Sequence, residues 1–95
     1  MQDWPDREHY TAEDLVQIIR ILRDPETGCP WDKVQTHASI RKNFLEETCE
    51  ALEAIDADDA DMLREELGDV LMQVAIHVVL EEERGRLNFE QVCRE

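Results

Sequence analysis

The amino-acid sequence predicts an all-α protein, a helical bundle of three main helices and a short C-terminal helix. Apolar residues recur with helical spacing through most of the chain. Only three glycines and three prolines interrupt it, and all of them except Gly68 stand where helix ends or loops fit. A chain of 95 residues makes a single domain, predicted to span residues 1–95 with residues 1–10 as a leader. Because so short a chain buries little surface, we expect a second copy to complete its core.

The first predicted helix begins after Thr11, a residue type that caps helix N-termini, and carries acidic Glu13 and Asp14 in its first turn. Its apolar positions, spaced i, i+3, i+4 and i+7, are Leu15, Ile18, Ile19 and Leu22. The helix is expected to end near Asp24, because Pro25 disfavours helical geometry in the residue before it.

A loop is predicted from Pro25 to about Thr36, where a second proline occurs and the apolar residues show no period. Connections of this length are uncommon in compact domains and are usually either functional or disordered. The embedded Trp31 argues for an ordered loop, so we expect this segment to have a function.

Two long helices are predicted next, from about residue 38 to 57 and from Asp58 or Asp59 to about residue 84. Because only a few residues connect them, they should be antiparallel neighbours. The apolar stripe of the second helix comprises Ile40, Phe44, Leu45, Leu52 and Ile55. Asn88 can cap a last short helix over residues 89–94.

The third helix is apolar on two sides. One face consists of Leu63, Leu67, Val70, Leu71, Val74 and Val78, and part of another consists of Met62, Ile76 and Leu80. Such a helix needs two neighbours. One face can pack on the second helix of its own chain and the other on a partner subunit, which predicts a four-helix-bundle core across a homodimer.

The net charge limits the choice of partners. Ten Lys and Arg against 24 Asp and Glu give a formal net charge of −14. Such a chain repels nucleic-acid phosphates and anionic lipid, so neither polymeric nucleic acid nor a membrane is an expected partner. It would also repel a nucleotide unless bound cations neutralise part of the acid. The plainer interpretation, that acidity keeps a small protein soluble, covers most of these acids.

The three cysteines, Cys29, Cys49 and Cys93, are far apart and form no Cys-x-x-Cys pair. The pattern indicates neither a disulfide framework nor a zinc site, and favours reduced thiols in the cytoplasm. The sequence shows no secretory signal, and its longest apolar stretch, around residues 74–80, is interrupted by His77. A soluble cytoplasmic protein is therefore expected.

Acidic residues recur on both long helices at a spacing that places them on one face. Glu47 and Glu50 are three residues apart on the second helix, as are Glu66 and Asp69 on the third. Each pair bears nearly the same angular relation to the apolar stripe of its helix, so the four carboxylates can converge if the stripes face each other. Mg²⁺ prefers hard oxygen ligands and bridges such clusters to substrate phosphates, which makes this cluster a candidate metal site.

Other interpretations exist for these residues. An isolated acidic pair is usually a solvated helix face, but two pairs with only Arg64 nearby on the third helix favour a cation between them. Gly68 costs its helix about 1 kcal/mol relative to Ala, and indicates either the close approach of a ligand or tight helix packing. Cys49 and His77 are interpreted as packed core residues, the histidine with its hydrogen bonds satisfied.

Five motifs follow one another along nearly the whole chain, from about residue 12 to 95. They are Leu22-Arg23-Asp24-Pro25, Gly28-Cys29-Pro30-Trp31-Asp32-Lys33, Gln35-Thr36-His37, Leu45-Glu46-Glu47-x-x-Glu50 and Glu65-Glu66-Leu67-Gly68-Asp69. The ordered series resembles the MazG family of nucleoside triphosphate pyrophosphohydrolases, and it is much more specific than any one motif.

The resemblance implies a homodimer, with assembly of two dimers into a tetramer left open, and Mg²⁺-dependent cleavage of a nucleoside triphosphate between its α and β phosphates. Mn²⁺ is the expected substitute ion. By position in the motifs, Glu47, Glu50, Glu66 and Asp69 resemble the family's metal ligands, and Glu46 would orient or deprotonate the attacking water. Metal ions neutralise phosphate charge and activate water, so the chemistry needs no covalent nucleophile.

Five more residues are candidates for substrate contacts. Lys33, Arg23 and Arg41 could meet phosphate oxygens or be plain surface charges. Trp31 could stack on a base or anchor its loop, and His37 could contact a base edge or cap the second helix. The expected role is nucleotide-pool housekeeping. The alternative is a non-catalytic nucleotide-sensing or dimerisation module that keeps the acidic cluster.

Two features of the family bear on catalysis. In the family the chain continues past the last helix into a segment rich in Lys, Arg and His that contributes phosphate contacts, whereas this sequence ends at Glu95. The Gly-Cys-Pro-Trp loop is typical of the amino-terminal half of two-domain family members.

Overall fold

The computed structural model describes residues 9–94, which form four α-helices and one short 3₁₀ turn. The helices are α1 (Ala12–Leu22), α2 (His37–Asp56), α3 (Ala60–Glu83) and α4 (Phe89–Arg94), and the 3₁₀ turn is Asp32–Val34. Since the described residues contain no strand, the predicted all-α class is confirmed. Across the same range, every helix is too short or too polar to traverse a lipid bilayer. Most of the predicted leader, residues 1–8 with Trp4, lies outside the described residues.

Local capping bonds fix where the helices begin. The side chains of Thr11 and Asp14 each accept a hydrogen bond from the other's backbone N–H, at 3.1 and 3.0 Å. At the start of α3 the Asp59 carboxylate accepts the N–H three residues on, at 3.0 Å, and Asn88 does the same for α4 at 2.9 Å. These caps satisfy N–H groups that have no partner inside a helix. The predicted starts of α1, α3 and α4 are therefore confirmed.

The apolar core forms where α1 packs on the C-terminal half of α3. In α1 the buried apolar side chains are Val16, Ile19 and Ile21. The predicted stripe includes Ile19 but is wrong in omitting Val16 and Ile21, while Leu15 and Leu22 pack partly buried at the core's edge. Apolar residues surround most of α1, so spacing alone does not decide which of them face α3.

The loop between α1 and α2 folds back onto the end of α1. The Cys29 N–H donates to the Leu22 carbonyl at 2.8 Å, and the Gly28 N–H donates to the Asp24 carbonyl at 2.9 Å. A Cβ on Gly28 would lie 2.4 Å from the Leu22 oxygen and 2.5 Å from the Asp24 oxygen, so only glycine fits this approach. The loop is ordered, as predicted, but Trp31 does not anchor it, because that residue is 55% exposed.

The two long helices, α2 and α3, are packed antiparallel neighbours, as predicted. The buried residues of α2 are Ile40, Ala51 and Ala54, and those of α3 are Ala75, Ile76, Val78, Val79 and Leu80. Much of the remaining apolar surface of both helices is exposed, namely Leu45, Leu52, Ile55, Leu67, Leu71 and Met72. The predicted stripes are therefore only partly buried within one chain, and besides Ile40 the buried residues of α2 are small alanines instead of its larger apolar residues.

Candidate metal centre

The four predicted carboxylates converge between α2 and α3. One oxygen from each of Glu47, Glu50, Glu66 and Asp69 can be chosen so that all four lie within 4.8 Å of one another. Glu47 and Glu66 are partly buried, while Glu50 and Asp69 are exposed, so the cluster opens to solvent on one side. Two helices hold the donors, which gives the cluster a rigid frame.

The electrostatics of this cluster favour a cation. The Oε2 atoms of Glu47 and Glu66 are buried and have no hydrogen-bond partner among residues 9–94. Burial, a hydrogen bond with Glu50 and the neighbouring negative charges raise the pKa of Glu66 to about 6. Burial and the charges of Glu50 and Asp69 also raise the pKa of Glu47. An all-oxygen donor set with two unpaired buried oxygens fits a hard divalent cation, whose charge would relieve this repulsion.

Glu46, the residue expected to act on the attacking water, lies next to Glu47 but points a partly exposed side chain toward Lys42. Its Oε1 is 3.8 Å from the Lys42 Nζ, and the two side chains are 56% and 84% exposed. An ion pair this long and this exposed contributes little. The Glu46 carboxylate is therefore held only weakly in this position.

Arg23 has structural contacts that the sequence does not reveal. Its guanidinium donates to both Glu83 carboxylate oxygens, at 2.7 and 2.8 Å, and to the backbone carbonyls of Asp32 and Gln35, at 2.6 and 2.9 Å. Its side chain is only 9% exposed. These bonds tie the loop to the end of α3, so the guanidinium proposed for phosphate is already engaged by the fold.

The other predicted substrate residues lie at different places on the surface. Trp31 and Lys33 belong to the loop, where the Lys33 Nζ donates to the Pro25 carbonyl at 3.3 Å. Arg41 is exposed on α2, on the wall of a cavity of about 580 Å³ that His37, Phe44 and His77 also line. The structure thus brings Arg41 and His37 to one cavity, and leaves Trp31 and Lys33 on a separate loop.

His37 does not cap α2, because the Thr36 hydroxyl accepts the Ser39 N–H at 3.2 Å. Its ring instead lies beside that of His77 and nearly parallel to it, with the two Nδ1 atoms 2.6 Å apart, and its Nε2 lies 2.7 Å from the Glu81 Oε1. The interpretation of His77 as a satisfied core histidine is wrong, since its buried Nε2 has no partner in the described part of the chain. Burial and the nearby His37 lower the pKa of His77.

Two more expectations change. Cys49, interpreted as a core residue, is exposed in the single chain. A Cβ added to Gly68 would meet no atom of the described residues within 4 Å, so tight packing inside this chain does not explain that glycine.

One polar residue in the same region does not stand out in the sequence. Gln73 lies four residues after Asp69 and seven after Glu66, and its buried Oε1 lacks a hydrogen-bond partner within residues 9–94. Only its position in the sequence could have identified it. This spacing places Gln73 on the same face of α3 as the two acids, in a stretch that is otherwise apolar.

The chain is similar to known nucleotide pyrophosphohydrolases. Residues 35–95 match the MazG nucleotide pyrophosphohydrolase domain. The chain is 52% identical over 79 residues to a nucleoside triphosphate pyrophosphohydrolase of Escherichia coli K12, a match that covers 83% of this chain and 30% of that protein. It is 50% identical over 82 residues to the nucleoside triphosphate pyrophosphohydrolase/pyrophosphatase MazG of Thermotoga maritima, covering 86% of this chain and 32% of that one. The chain thus spans about a third of the length of these relatives.

Proposed function

Because the chain belongs to the MazG nucleotide pyrophosphohydrolase family, we propose that it hydrolyses a nucleoside triphosphate to the monophosphate and pyrophosphate with the help of Mg²⁺. The convergence of four carboxylates from α2 and α3 is the observation that carries this proposal. The names of the relatives support the reaction class. The role we assign is the removal of unwanted nucleotides in the cytoplasm.

Glu47, Glu50, Glu66 and Asp69 are the residues we propose to hold Mg²⁺, or Mn²⁺ in its place. When bound, such an ion neutralises phosphate charge and makes water a better nucleophile. Without it, the carboxylates would repel the triphosphate. The protein's own contribution is to hold the four oxygens in place on two helices, so that phosphates are bound in one orientation.

Glu46 is the group we assign to the attacking water. It is adjacent to Glu47, and only a long, exposed ion pair with Lys42 engages its side chain. A carboxylate here can accept the proton of a water that attacks the α-phosphorus, while pyrophosphate leaves. We assign Arg41 and Lys33 to phosphate contacts, and Trp31 to the nucleoside. Both ring nitrogens of His37 are engaged by His77 and Glu81, so we assign His37 no direct contact with the nucleoside.

The exposed apolar surface of α2 and α3 supports a homodimer. The six residues are Leu45, Leu52, Ile55, Leu67, Leu71 and Met72. Apolar residues clustered on adjoining helices commonly mark an interface. Antiparallel packing of this pair against its copy would bury the surface in a four-helix bundle.

The test is release of pyrophosphate from a panel of nucleoside triphosphates, with and without Mg²⁺. We expect pyrophosphate and monophosphate in equal amounts, and no inorganic phosphate. Glu50→Gln should lower kcat/KM by roughly a hundredfold or more, since a metal ligand supplies several kcal/mol of transition-state stabilisation. Glu53→Gln, one turn away on α2 and outside the cluster, is the matched control and should keep normal activity.

The non-catalytic alternative predicts a different result. A nucleotide-sensing module would bind triphosphate and metal, yet release no pyrophosphate over long incubation. That outcome, in a folded dimer of the natural protein, would contradict the hydrolase proposal and leave the metal site in place.

A further inference from the structure

The buried polar atoms that lack a partner lie in one region of the molecule. Within residues 9–94 they are Glu47 Oε2, Glu66 Oε2, Gln73 Oε1 and His77 Nε2. The three on α3 are at relative positions 0, 7 and 11, which places them within an arc of about 40° on one helix face. Folded proteins satisfy nearly all of their buried polar groups, so a row of unsatisfied ones indicates a ligand. The metal accounts for the two glutamates, but not for Gln73 or His77.

The ring of His77 has a fixed direction. Its Nδ1 meets the Nδ1 of His37 at 2.6 Å, and the two ring planes are within 6° of parallel with centroids 4.8 Å apart. His37 is held in turn by Glu81, and Glu81 by two hydrogen bonds of 2.7 Å from Arg86. Arg86 and His37 lower the pKa of Glu81 to about 2, so Glu81 is an ionised acceptor at neutral pH.

The proton positions follow from this chain of contacts. Because Glu81 is ionised, the Nε2 of His37 carries the hydrogen that lies between them. The single hydrogen between the two Nδ1 atoms then belongs to either ring. Burial and the nearby His37 lower the pKa of His77, which favours its uncharged form. Its Nε2 then presents either a lone pair or an N–H in one defined direction. The His77 Nε2 therefore has a fixed direction and no partner among the described residues, so it is suited to bind a polar atom of a ligand.

His77, at one end of this row, lines a cavity. The cavity measures about 580 Å³, within the range of roughly 300 to 1,000 Å³ typical of small-molecule sites, and Phe44, Arg41 and Thr48 are also on its wall. Gln73 is not on the wall, but it precedes His77 by one turn of α3. Along α3, Gln73 stands about 6 Å from Asp69 and about 6 Å from His77. Most of the cavity wall is apolar, and Arg41 supplies the one cationic group among the residues that line it.

We propose that Gln73 and His77 form a nucleoside subsite, in which their free polar atoms bond to the sugar or base and Phe44 packs against it. The inference rests on the proposed function, because phosphates held at the acidic cluster place the nucleoside next along the same face. His37 and Glu81 are positioning residues, since they act by fixing the His77 ring. A mostly apolar subsite with two directed polar groups fits a nucleoside, and Arg41 on the cavity wall can meet the phosphates attached to it.

The test compares ligands with and without a nucleoside. Gln73→Leu removes the free oxygen at nearly constant volume and should raise the KM for the nucleoside triphosphates about tenfold, the effect of one lost hydrogen bond. Inhibition by inorganic tripolyphosphate, which has no nucleoside, should be unchanged. Because the substitution removes a buried unpaired oxygen, the melting temperature should not fall. Gln17→Leu on α1 is the matched control and should change neither constant.

A second variant tests the positioning role. His37→Asn removes the contact that orients His77, and should change the ratio of kcat/KM values among ATP, CTP, GTP and UTP while tripolyphosphate inhibition stays the same. If Gln73 and His77 do not bind the nucleoside, both variants should keep the KM and the base preference of the unaltered protein. That result would overturn the inference. If a second copy of the chain covers Gln73 and His77 instead, KM and base preference also stay unchanged, and the two variants dimerise more weakly. That result would overturn the inference as well.

The two proposals fail in distinguishable ways. If the unaltered protein releases no pyrophosphate, the hydrolase proposal is refuted, and calorimetric binding of ATP and of tripolyphosphate in Mn²⁺ still decides the subsite. Weaker ATP binding by Gln73→Leu, with tripolyphosphate binding unchanged, supports the subsite. Equal ATP binding by both proteins refutes it.

Discussion

Replacing Arg23 with Met should destabilise the protein strongly, although Arg23 resembles a substrate residue in the sequence. The substitution keeps most of the side-chain volume and removes four hydrogen bonds, two to Glu83 and two to the carbonyls of Asp32 and Gln35. Hydrogen bonds to a charged group are each worth about 1.5 to 3 kcal/mol when desolvated. Glu83 is 43% exposed and can bond to water once the guanidinium is gone, so the loss of its two hydrogen bonds should destabilise the protein less than this range.

The remaining cost comes mainly from the two carbonyls that the loop directs at the guanidinium. We therefore expect a loss of about 3 kcal/mol in the free energy of unfolding, at about 1.5 kcal/mol for each of the two bonds from the charged guanidinium to a carbonyl. In a domain of this size that corresponds to a drop in melting temperature of roughly 12 to 24 °C. The assay is thermal and urea denaturation without nucleotide or metal.

Arg20→Met is the matched control. Arg20 makes a similar two-pronged contact with Glu82, at 2.9 and 2.8 Å, but its side chain is 41% exposed. Its loss should cost less than about 1 kcal/mol. Equal melting temperatures for the two variants would show that Arg23 does not hold the loop, and a substrate role would then be the better explanation.

Three further outcomes follow from the structure. In metal-free protein, the stability contributed by protonated Glu66 is present below pH 4.5 and is lost as the pH rises through about 6, because the folded pKa of Glu66 is raised. Glu66→Gln should therefore reduce the dependence of the melting temperature on pH between these values. A pH dependence equal to that of the unaltered protein would refute this. Gly28→Ala should lower the free energy of unfolding by about 2 kcal/mol, because the added Cβ meets backbone at 2.4 Å. Gly68→Ala, whose Cβ meets no described atom within 4 Å, should raise it by up to about 1 kcal/mol. If denaturation ranks the two variants the other way, the loop geometry is contradicted. Leu71→Glu should shift sedimentation toward the monomer, and an unchanged mass would locate the dimer elsewhere.

The bounds of the helices follow closely from the sequence, because capping is local. Thr11, Asp59 and Asn88 lie at the first turns they cap, and each bonds a backbone N–H within three residues. The buried faces follow less well. In α1 the burial of Val16 and Ile21 depends on how α3 crosses it, and in α2 the alanines at positions 51 and 54 make the contact. Spacing does not contain that information.

The acidic cluster could be predicted because each i, i+3 pair lies on one face of its helix and a short connection makes the two helices antiparallel neighbours. The contacts of Arg23 and His37 could not, because their partners, Glu83 and His77, are far away in sequence and come close only through the fold. Gln73 was missed for another reason. A single glutamine in an apolar run carries no chemical signal until its oxygen is seen to be buried and unpaired.

The central claim is that one divalent ion site lies between α2 and α3. Crystals grown in Mn²⁺, with diffraction recorded at the manganese absorption edge, test it most directly. We expect an anomalous difference peak in contact with carboxylate oxygens from both helices, at Glu47, Glu50, Glu66 and Asp69. No peak there at saturating Mn²⁺, or a peak only at other surface acids such as Asp61, would contradict the claim.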